Sequence, residues 1–322
     1  MNASPLFPRI AIIGLGLIGS SIARGALALD LVGEIVATDD SADVRRRAKE
    51  LNLAHRIAET NAEAVRDADL VIACVPVGAC GAVAQEIAGH LKAGAIVSDV
   101  GSVKTAVLRD MAAHLPATVD FIPAHPVAGT EHSGPDSGFA ELFVNRWCIL
   151  TPSETASPHA VERLKAFWQA LGANVETMTA EHHDLVLAIT SHLPHLIAYT
   201  IVSTAEELEG VTESEVLKFS AGGFRDFTRI AASDPTMWRD VFLANKAAVL
   251  EILGRFNEDV ATLTRAIRRD DGETLFNLFS RTRAIRRGII DIGQDSPAPD
   301  FGRAHASLPM APLPRPYAAD SE

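Results

Sequence analysis

A chain of 322 residues is long for one small module and suits two domains of ordinary size. At 48% hydrophobic and 22% charged it can fill sizeable cores, which excludes a disordered or collagen-like protein. With 29 Lys+Arg against 41 Asp+Glu the net charge is −12, which argues against a protein that coats nucleic acid through a basic face, though a few local arginines can still bind small anions.

The N-terminus, MNASPLFPRI, lacks a charged start followed by an apolar core, so no secretory leader is expected and the chain reads as cytoplasmic. Short apolar or β-branched runs over 9–13, 34–38, 70–75, 95–99 and 120–124 predict strands. Ala-rich helical patterns near 17–29, 41–51, 78–90 and 104–114 lie between them. Strands buried on both faces read as continuous apolar runs, so this alternation predicts a doubly wound parallel sheet, an α/β Rossmann-type domain. A strand over 147–150, a helix over 158–171 and a strand over 174–178 predict a further βαβ piece that closes it.

From about Ala180 strand signals stop, and helices are expected over 181–209, 213–220, 234–269 and 271–290, with turns near Gly210, Gly222-Gly223 and Asp270-Asp271-Gly272. Pro194 should kink or break the first of these. The uncharged stretch 185–205 contains His192, Pro194, His195 and five Ser/Thr, so it predicts a buried helix rather than a membrane span. The expected division is residues 1–179 for a nucleotide-binding domain, 180–294 for an all-helical domain and 295–322 for a proline-rich tail without fixed structure. The cysteines, Cys74, Cys80 and Cys148, have no metal-like spacing and are expected as free thiols in a reducing compartment.

Gly14-Leu15-Gly16-Leu17-Ile18-Gly19 follows a predicted strand and opens a predicted helix. Gly14 allows the tight turn, Gly16 lets backbone approach a pyrophosphate, and Gly19 lets helix and strand pack closely. The amides of Gly16, Leu17, Ile18 and Gly19 then meet the phosphates at a helix N-terminus. Asp39, 20 residues beyond Gly19 at a strand end, is placed to bind a ribose and to repel a 2′-phosphate. NAD is therefore expected rather than NADP. Asp40 competes for the ribose, and Arg45, Arg46 and Arg47 read as a solvated helix face.

Four further segments carry candidate chemistry: Asp99-Val100-Gly101-Ser102-Val103-Lys104; Ala124-His125-Pro126-Val127-Ala128-Gly129-Thr130-Glu131; Ser191-His192-Leu193-Pro194-His195; and Gly222-Gly223-Phe224-Arg225-Asp226-Phe227-Thr228-Arg229 running on to Ser233-Asp234-Pro235 and Trp238. Read alone, His125 is a base candidate or a strand-end histidine held by local bonds, and Ser102 is a turn or helix-cap residue. Arg229 reads as a surface ion pair with Asp226 or Asp234, Lys104 as a solvated or capping residue without a role, and Trp238 as a pocket wall or a core residue. The spacing of His192 and His195 near His182 and His183 raises a metal site, but the cysteine and carboxylate partners that zinc takes are missing, and no metal is expected. The arginines between 265 and 287 are interspersed with Asp270, Asp271 and Glu273 and read as solvated or interfacial, not as a nucleic-acid surface.

In combination, AHPVAGTE, SHLPH and GGFRDFTRIAASDP resemble the prephenate dehydrogenase family, arogenate and cyclohexadienyl dehydrogenases included, over roughly residues 8–290. The resemblance implies NAD-dependent oxidative decarboxylation of prephenate, arogenate being a second substrate, in tyrosine biosynthesis. It further implies His125 as base, Ser102 as its assistant, Arg229 on the substrate carboxylate, and His195, Gly129, Thr130 and Trp238 in the substrate pocket. A homodimer through the helical domain follows from it too, with no membrane or nucleic-acid partner. Two other readings share the scaffold. A hydroxyacid dehydrogenase or imine reductase would use a lysine such as Lys218 or Lys246, and a non-catalytic NAD sensor would need only the cofactor half.

Overall fold

The structure, a computed structural model, describes residues 5–129, 132–209 and 222–291. Six parallel strands form the main sheet in the order β3-β2-β1-β4-β5-β6: β1 Phe7–Ile13, β2 Val32–Thr38, β3 Arg56–Ile57, β4 Leu70–Ala73, β5 Ile96–Asp99 and β6 Asp120–Phe121. Residues alternate between the sheet's faces. Along β1, Ile10 and Ile12 enter one core with Ile22, Ile35, Phe143, Phe167 and Trp168, while Ala11 and Ile13 enter another with Val71, Val97, Val107 and Met111. Helices α1 Leu17–Ala28, α2 Ala42–Glu50, α3 Asn61–Val65, α4 Cys80–Ile87 and α5 Lys104–Ala112 connect these strands. The short β3 and α3 have no counterpart among the expected elements.

The expected strand over 120–124 is in fact split. After β6 the chain leaves the main sheet, and β7 Ala124–Pro126 pairs antiparallel with β8 Trp147–Leu150. With β9 Asn174–Thr177, parallel to β8 across α6 Pro158–Ala170, this makes a separate three-stranded sheet. The expected βαβ piece exists, but it belongs to that second sheet. Pro123 lies at the break: its carbonyl accepts the Thr151 N–H, and a proline has no N–H with which to continue the ladder.

Beyond β9 the described residues are helical. α7 Ala180–Leu187 passes through a π turn, Ala188–His192, into α8 Leu193–Glu209. Pro194 therefore does not break the helix. The Leu193 N–H donates to Ala188, five residues back, and the wider turn takes up the proline at the second position of α8. Nor is this run the buried helix expected from its apolar sequence: Ile189, Ile201 and Val202 are exposed. By length and composition alone, Ala180–Glu207 is long and apolar enough to cross a bilayer. Gly222-Gly223 opens α9, Gly222–Thr228, instead of forming a turn. The expected helix over 234–269 is divided at Asn245 into α10 Pro235–Ala244 and α11 Lys246–Arg268, and α12 Gly272–Asp291 comes after it. The helix expected over 213–220 and the proline-rich tail lie outside the described residues.

The two parts share a core. Trp238 and Val241 of α10 pack into the same cluster as Val97, Val107 and Phe121. Lys104, expected at the surface, is fully buried. Its Nζ donates to Asp99 Oδ2 at 2.5 Å and to the Ala124 carbonyl at 2.6 Å. Asp99 also accepts the Gly101 N–H on Oδ2 and the Ala124 N–H on Oδ1. Where the main-chain ladder fails at the β6–β7 break, this ion pair replaces it, and burial of one charge is tolerable only because the other is present. Lys104→Met should lower unfolding free energy by about 3–5 kcal/mol, the cost typical of leaving one buried charge unpaired, read from the urea midpoint. A loss below about 1 kcal/mol would show that the pair does not hold the break.

Candidate active site

Gly14, Asp39 and Ser102 follow the carboxyl ends of main-sheet strands, the edge where open α/β sheets bind ligands, while His125 lies within β7 of the second sheet. Gly14 has φ +93°, and a Cβ there would lie 2.3 Å from the Cys74 carbonyl oxygen. A Cβ on Gly19 would lie 2.0 Å from the Gly14 carbonyl oxygen, so α1 can sit this close only without a side chain. At Gly16, by contrast, a Cβ would meet nothing within 4 Å. Gly16 is the N-cap of α1; no side chain caps this end and its first turn holds no acid. The N–H groups of Leu17 and Ile18 and the positive end of the helix dipole are thus left for an anion in the space beside Gly16.

Asp39 bounds that space. Its Oδ2 accepts the Leu15 N–H at 2.8 Å and its Oδ1 the Ser41 N–H at 3.0 Å, which fixes the carboxylate against the glycine turn. Burial raises its pKa, with these two N–H bonds opposing. The neighbouring arginines are engaged: Arg45 with the Asp39 and Asp40 carbonyls and Glu59, Arg46 with Asp43, and Arg47 with Asp136 and Glu50.

His125 is buried on β7, and its Nδ1 lies 2.8 Å from His183 Nε2. The Nδ1 of His183 in turn lies 2.8 Å from Asp184 Oδ1. Asp184 also accepts the backbone N–H groups of Lys104 and Thr105, at 2.8 and 2.9 Å, and so caps α5 from 80 residues away, where Val103 supplies no side-chain cap. Ser102 is half-buried on the loop just before that helix. Asn245, at the break between α10 and α11, donates to the Asp184 carbonyl and lies 3.1 Å from His192 Nδ1.

From His192 the contacts continue to the remaining candidates. The His192 ring lies edge-on to Trp238 with centroids 5.9 Å apart, and His195 stacks on Trp238 at 3.6 Å. Arg229, exposed on the turn Arg229–Ala232, is close enough that its charge disfavours protonation of His195. Tyr199 of α8 donates to the Ser233 carbonyl and ties that turn down. His125 and His195 thus belong to one run of contacts, joined at Asn245 through the Asp184 backbone carbonyl, and Arg229 adds its charge near the His195 end. Gly129 is exposed beyond β7; Thr130 and Glu131 lie outside the described residues. Arg225 pairs with Asp226 at the surface, Lys246 is exposed, and Lys218 lies outside the described residues. No group of three His, Cys, Asp or Glu suited to a metal occurs among the described residues. The three cysteines are free, and burial pushes Cys80 up to about 12, so it is inert as a nucleophile.

Asp184 and Asn245 were not among the sequence candidates, and His183 entered only in the metal site that was set aside. The available signal was Thr-Ala-Glu-His-His-Asp over 179–184, a helix start with a histidine beside a carboxylate, but nothing in it points back to residue 125.

The cluster holds its histidines neutral. Burial lowers His125 well below 6.5, aided by His183, Lys104 and His192; burial likewise lowers His183, and it takes His192 to about 4. Unfolded histidines bind protons near 6.5, so between that value and the folded pKa the unfolded state holds more protons. Stability is therefore full above about pH 6.5 and falls as pH drops toward 4, with His192 contributing up to about 3 kcal/mol. His192→Gln should flatten the fall in unfolding free energy over that window. A slope unchanged by the substitution would contradict a buried neutral His192.

Comparison with known proteins gives these residues a context. Residues 26–177 match the family model "Prephenate dehydrogenase, nucleotide-binding domain", and residues 179–281 match "Prephenate dehydrogenase, dimerization domain". The chain is similar to a cyclohexadienyl dehydrogenase of Zymomonas mobilis, with 44% identity over 284 residues, 88% of this chain and 97% of the relative. It is 32% identical to a prephenate dehydrogenase of Bacillus subtilis, over 94% of this chain and 81% of the relative. Among solved structures it resembles a prephenate dehydrogenase of A. aeolicus in complex with hydroxyphenyl propionate and NAD+, with TM-score 0.83, 31% identity, and coverage of 90% of this chain and all of that one. A Synechocystis arogenate dehydrogenase is similar at TM-score 0.75 and 26% identity, over 87% of this chain and 99% of that one.

Proposed function

The chain belongs to the prephenate dehydrogenase family, and from that premise we propose that it oxidises and decarboxylates prephenate at the cluster running from His125 to Arg229. It is an NAD-dependent dehydrogenase. The observation that carries the site assignment is His125: a neutral, buried imidazole 2.8 Å from His183, in a run of contacts through Asp184, Asn245, His192 and Trp238 to His195, near which Arg229 places its charge.

The α1 N-terminus fits a pyrophosphate, because its amides are uncapped and Gly16, alone among the three glycines of the turn, has open space beside it. Gly14, Gly16, Leu17, Ile18 and Gly19 would hold that group. Asp39 would take the ribose hydroxyls, since each of its oxygens accepts a single N–H and keeps a lone pair. Arg45 is held by the Asp39 and Asp40 carbonyls and by Glu59, Arg46 pairs with Asp43 and Arg47 with Asp136, and the Asp39 carboxylate repels a 2′-phosphate, which supports NAD over NADP.

Prephenate carries a ring carboxylate and, opposite it, a carbon bearing hydrogen and hydroxyl. NAD+ supplies a hydride acceptor for that carbon. His125, neutral at pH 7, takes the hydroxyl proton as the hydride departs, and Ser102 orients the hydroxyl. The resulting dienone loses its ring carboxylate as CO2, and the electron pair of the broken bond aromatises the ring. The proton held on His125 returns to the phenolic oxygen, so 4-hydroxyphenylpyruvate forms with no net proton change. Arg229 binds a substrate carboxylate, and His195, Trp238 and Gly129 would border the same site, to which the family resemblance adds Thr130. Arogenate, which differs from prephenate only in its side chain, undergoes the same ring chemistry to give tyrosine.

The division we propose is residues 1–179 for the cofactor and 180–294 for substrate and dimerisation. A second copy of the chain would cover the exposed Leu243, Leu250, Ile267, Phe276 and Phe279 of α10, α11 and α12. The exposed Lys246 gives no support to a lysine-based hydroxyacid dehydrogenase, and a non-catalytic NAD sensor would have no use for the His125 cluster.

His125→Asn should reduce turnover by roughly 10²–10⁴-fold and leave NAD+ affinity unchanged by calorimetry. Near-wild-type turnover would remove His125 from the base role. Arg229→Ala should weaken substrate binding by about 2–4 kcal/mol, seen mainly in KM. An unchanged KM would place the carboxylate elsewhere.

A further inference from the structure

The contacts from Asp184 to His125 determine which nitrogen carries each proton. Asp184 is nearly buried, and burial alone would raise its carboxyl. The bonds from His183, from the Lys104 and Thr105 N–H groups and from the Thr105 hydroxyl outweigh that and hold it below the usual carboxylate range. A carboxylate has no proton to give, so across the 2.8 Å contact His183 Nδ1 must be the donor. A neutral imidazole has one N–H, and His183 is kept neutral by burial and by Lys104, so its Nε2 is a bare acceptor. At 2.8 Å from that acceptor, His125 Nδ1 must carry the proton, which leaves His125 Nε2 with a free lone pair.

We propose that His183 and Asp184 are positioning residues that lock His125 in its Nδ1–H tautomer and so make Nε2 the basic atom offered to the substrate. In solution a neutral histidine side chain prefers the opposite tautomer, so the surroundings must impose this one. The charged and titratable groups around the pair are Asp184 on α7, His192 in the π turn, and Lys104 on α5 with Asp99 of β5. Once His125 has taken the substrate proton, its Nδ1–H still points at the His183 acceptor, so no ring has to turn during the reaction.

Asp184 also caps α5, so the arrangement ties the imidazole to the helix that begins beside Ser102. Its two acceptor oxygens serve both purposes: Oδ1 meets His183 and the Lys104 N–H, and Oδ2 meets the Thr105 N–H. His183 has only the first purpose, which makes it the cleaner residue to change.

The proposal rests on His125 being the base, and the test separates the two. In protein labelled with 15N histidine, with the His125 resonances assigned by their loss in His125→Asn, His125 should show a protonated Nδ1 and a bare Nε2 above pH 7. A proton on Nε2 would overturn the proposal whatever the turnover. His183→Leu should lower kcat roughly 10–100-fold, as loss of a partner that orients a functional histidine does, with NAD+ affinity unchanged. His183→Gln, whose Oε1 can occupy the Nε2 position, should recover most of that loss. Wild-type kcat in His183→Leu, or a glutamine variant no better than leucine, would overturn the positioning role while leaving the base reading intact. If His125→Asn stays active, it is the base reading that falls. Should neither His183 variant fold, the 15N spectrum of the unmodified chain decides alone.

Discussion

Lys104 joins the parts of this molecule. Its ammonium group bonds Asp99 and the Ala124 carbonyl, and its backbone N–H bonds Asp184. One residue therefore connects the end of a main-sheet strand, the strand that carries His125 and the first helix of the all-helical part. A buried ammonium demands a carboxylate close by, and Asp99 can meet that demand only if β5 and β7 keep their present separation. The position of His125 relative to Ser102 and the glycine turn follows from that constraint. Catalytic geometry needs such support, because a displacement of about 1 Å at a reacting group can cost 10²-fold in rate.

Helix N-termini are used in two ways at the same sheet edge. The α1 terminus has no side-chain cap and no acid, so its amides and dipole remain available to a phosphate. In α5 the equivalent amides are taken by Asp184 from another part of the chain. The first arrangement leaves a binding site and the second makes a joint between domains. The joint is also where chemistry and stability meet, because the carboxylate that caps α5 is the one that orients His183. In the helical part, α10, α11 and α12 leave large apolar side chains uncovered, among them Phe276 at 71% exposure, which suits burial against a second copy.

The cofactor half was legible because its determinants are local. Gly14, Gly16 and Gly19 lie within one turn, the flanking strand and helix are strongly patterned, and Asp39 sits at a fixed distance. His125 and Arg229 were legible only through resemblance; by themselves they read as a strand-end histidine and a surface cation. Lys104 was misread as solvated, since no local pattern announces that Asp99 and a strand arriving 20 residues later will enclose it. His183 and Asp184 were missed for the same reason, their partners lying 58 and 80 residues away. The π turn at Ala188–His192 was also hidden, because proline rules describe an ideal α-helix and not one that has already absorbed an extra residue. Elements set by periodicity were readable, whereas groups set by tertiary burial were not.

The most direct test supplies the purified chain with NAD+ and prephenate and follows NADH and CO2 together. Both products should appear in a one-to-one ratio, with NADP+ much the poorer acceptor. Saturable NAD+ binding by calorimetry with no NADH from either prephenate or arogenate would contradict this, and would mean that the cluster from His125 to Arg229 serves a different substrate.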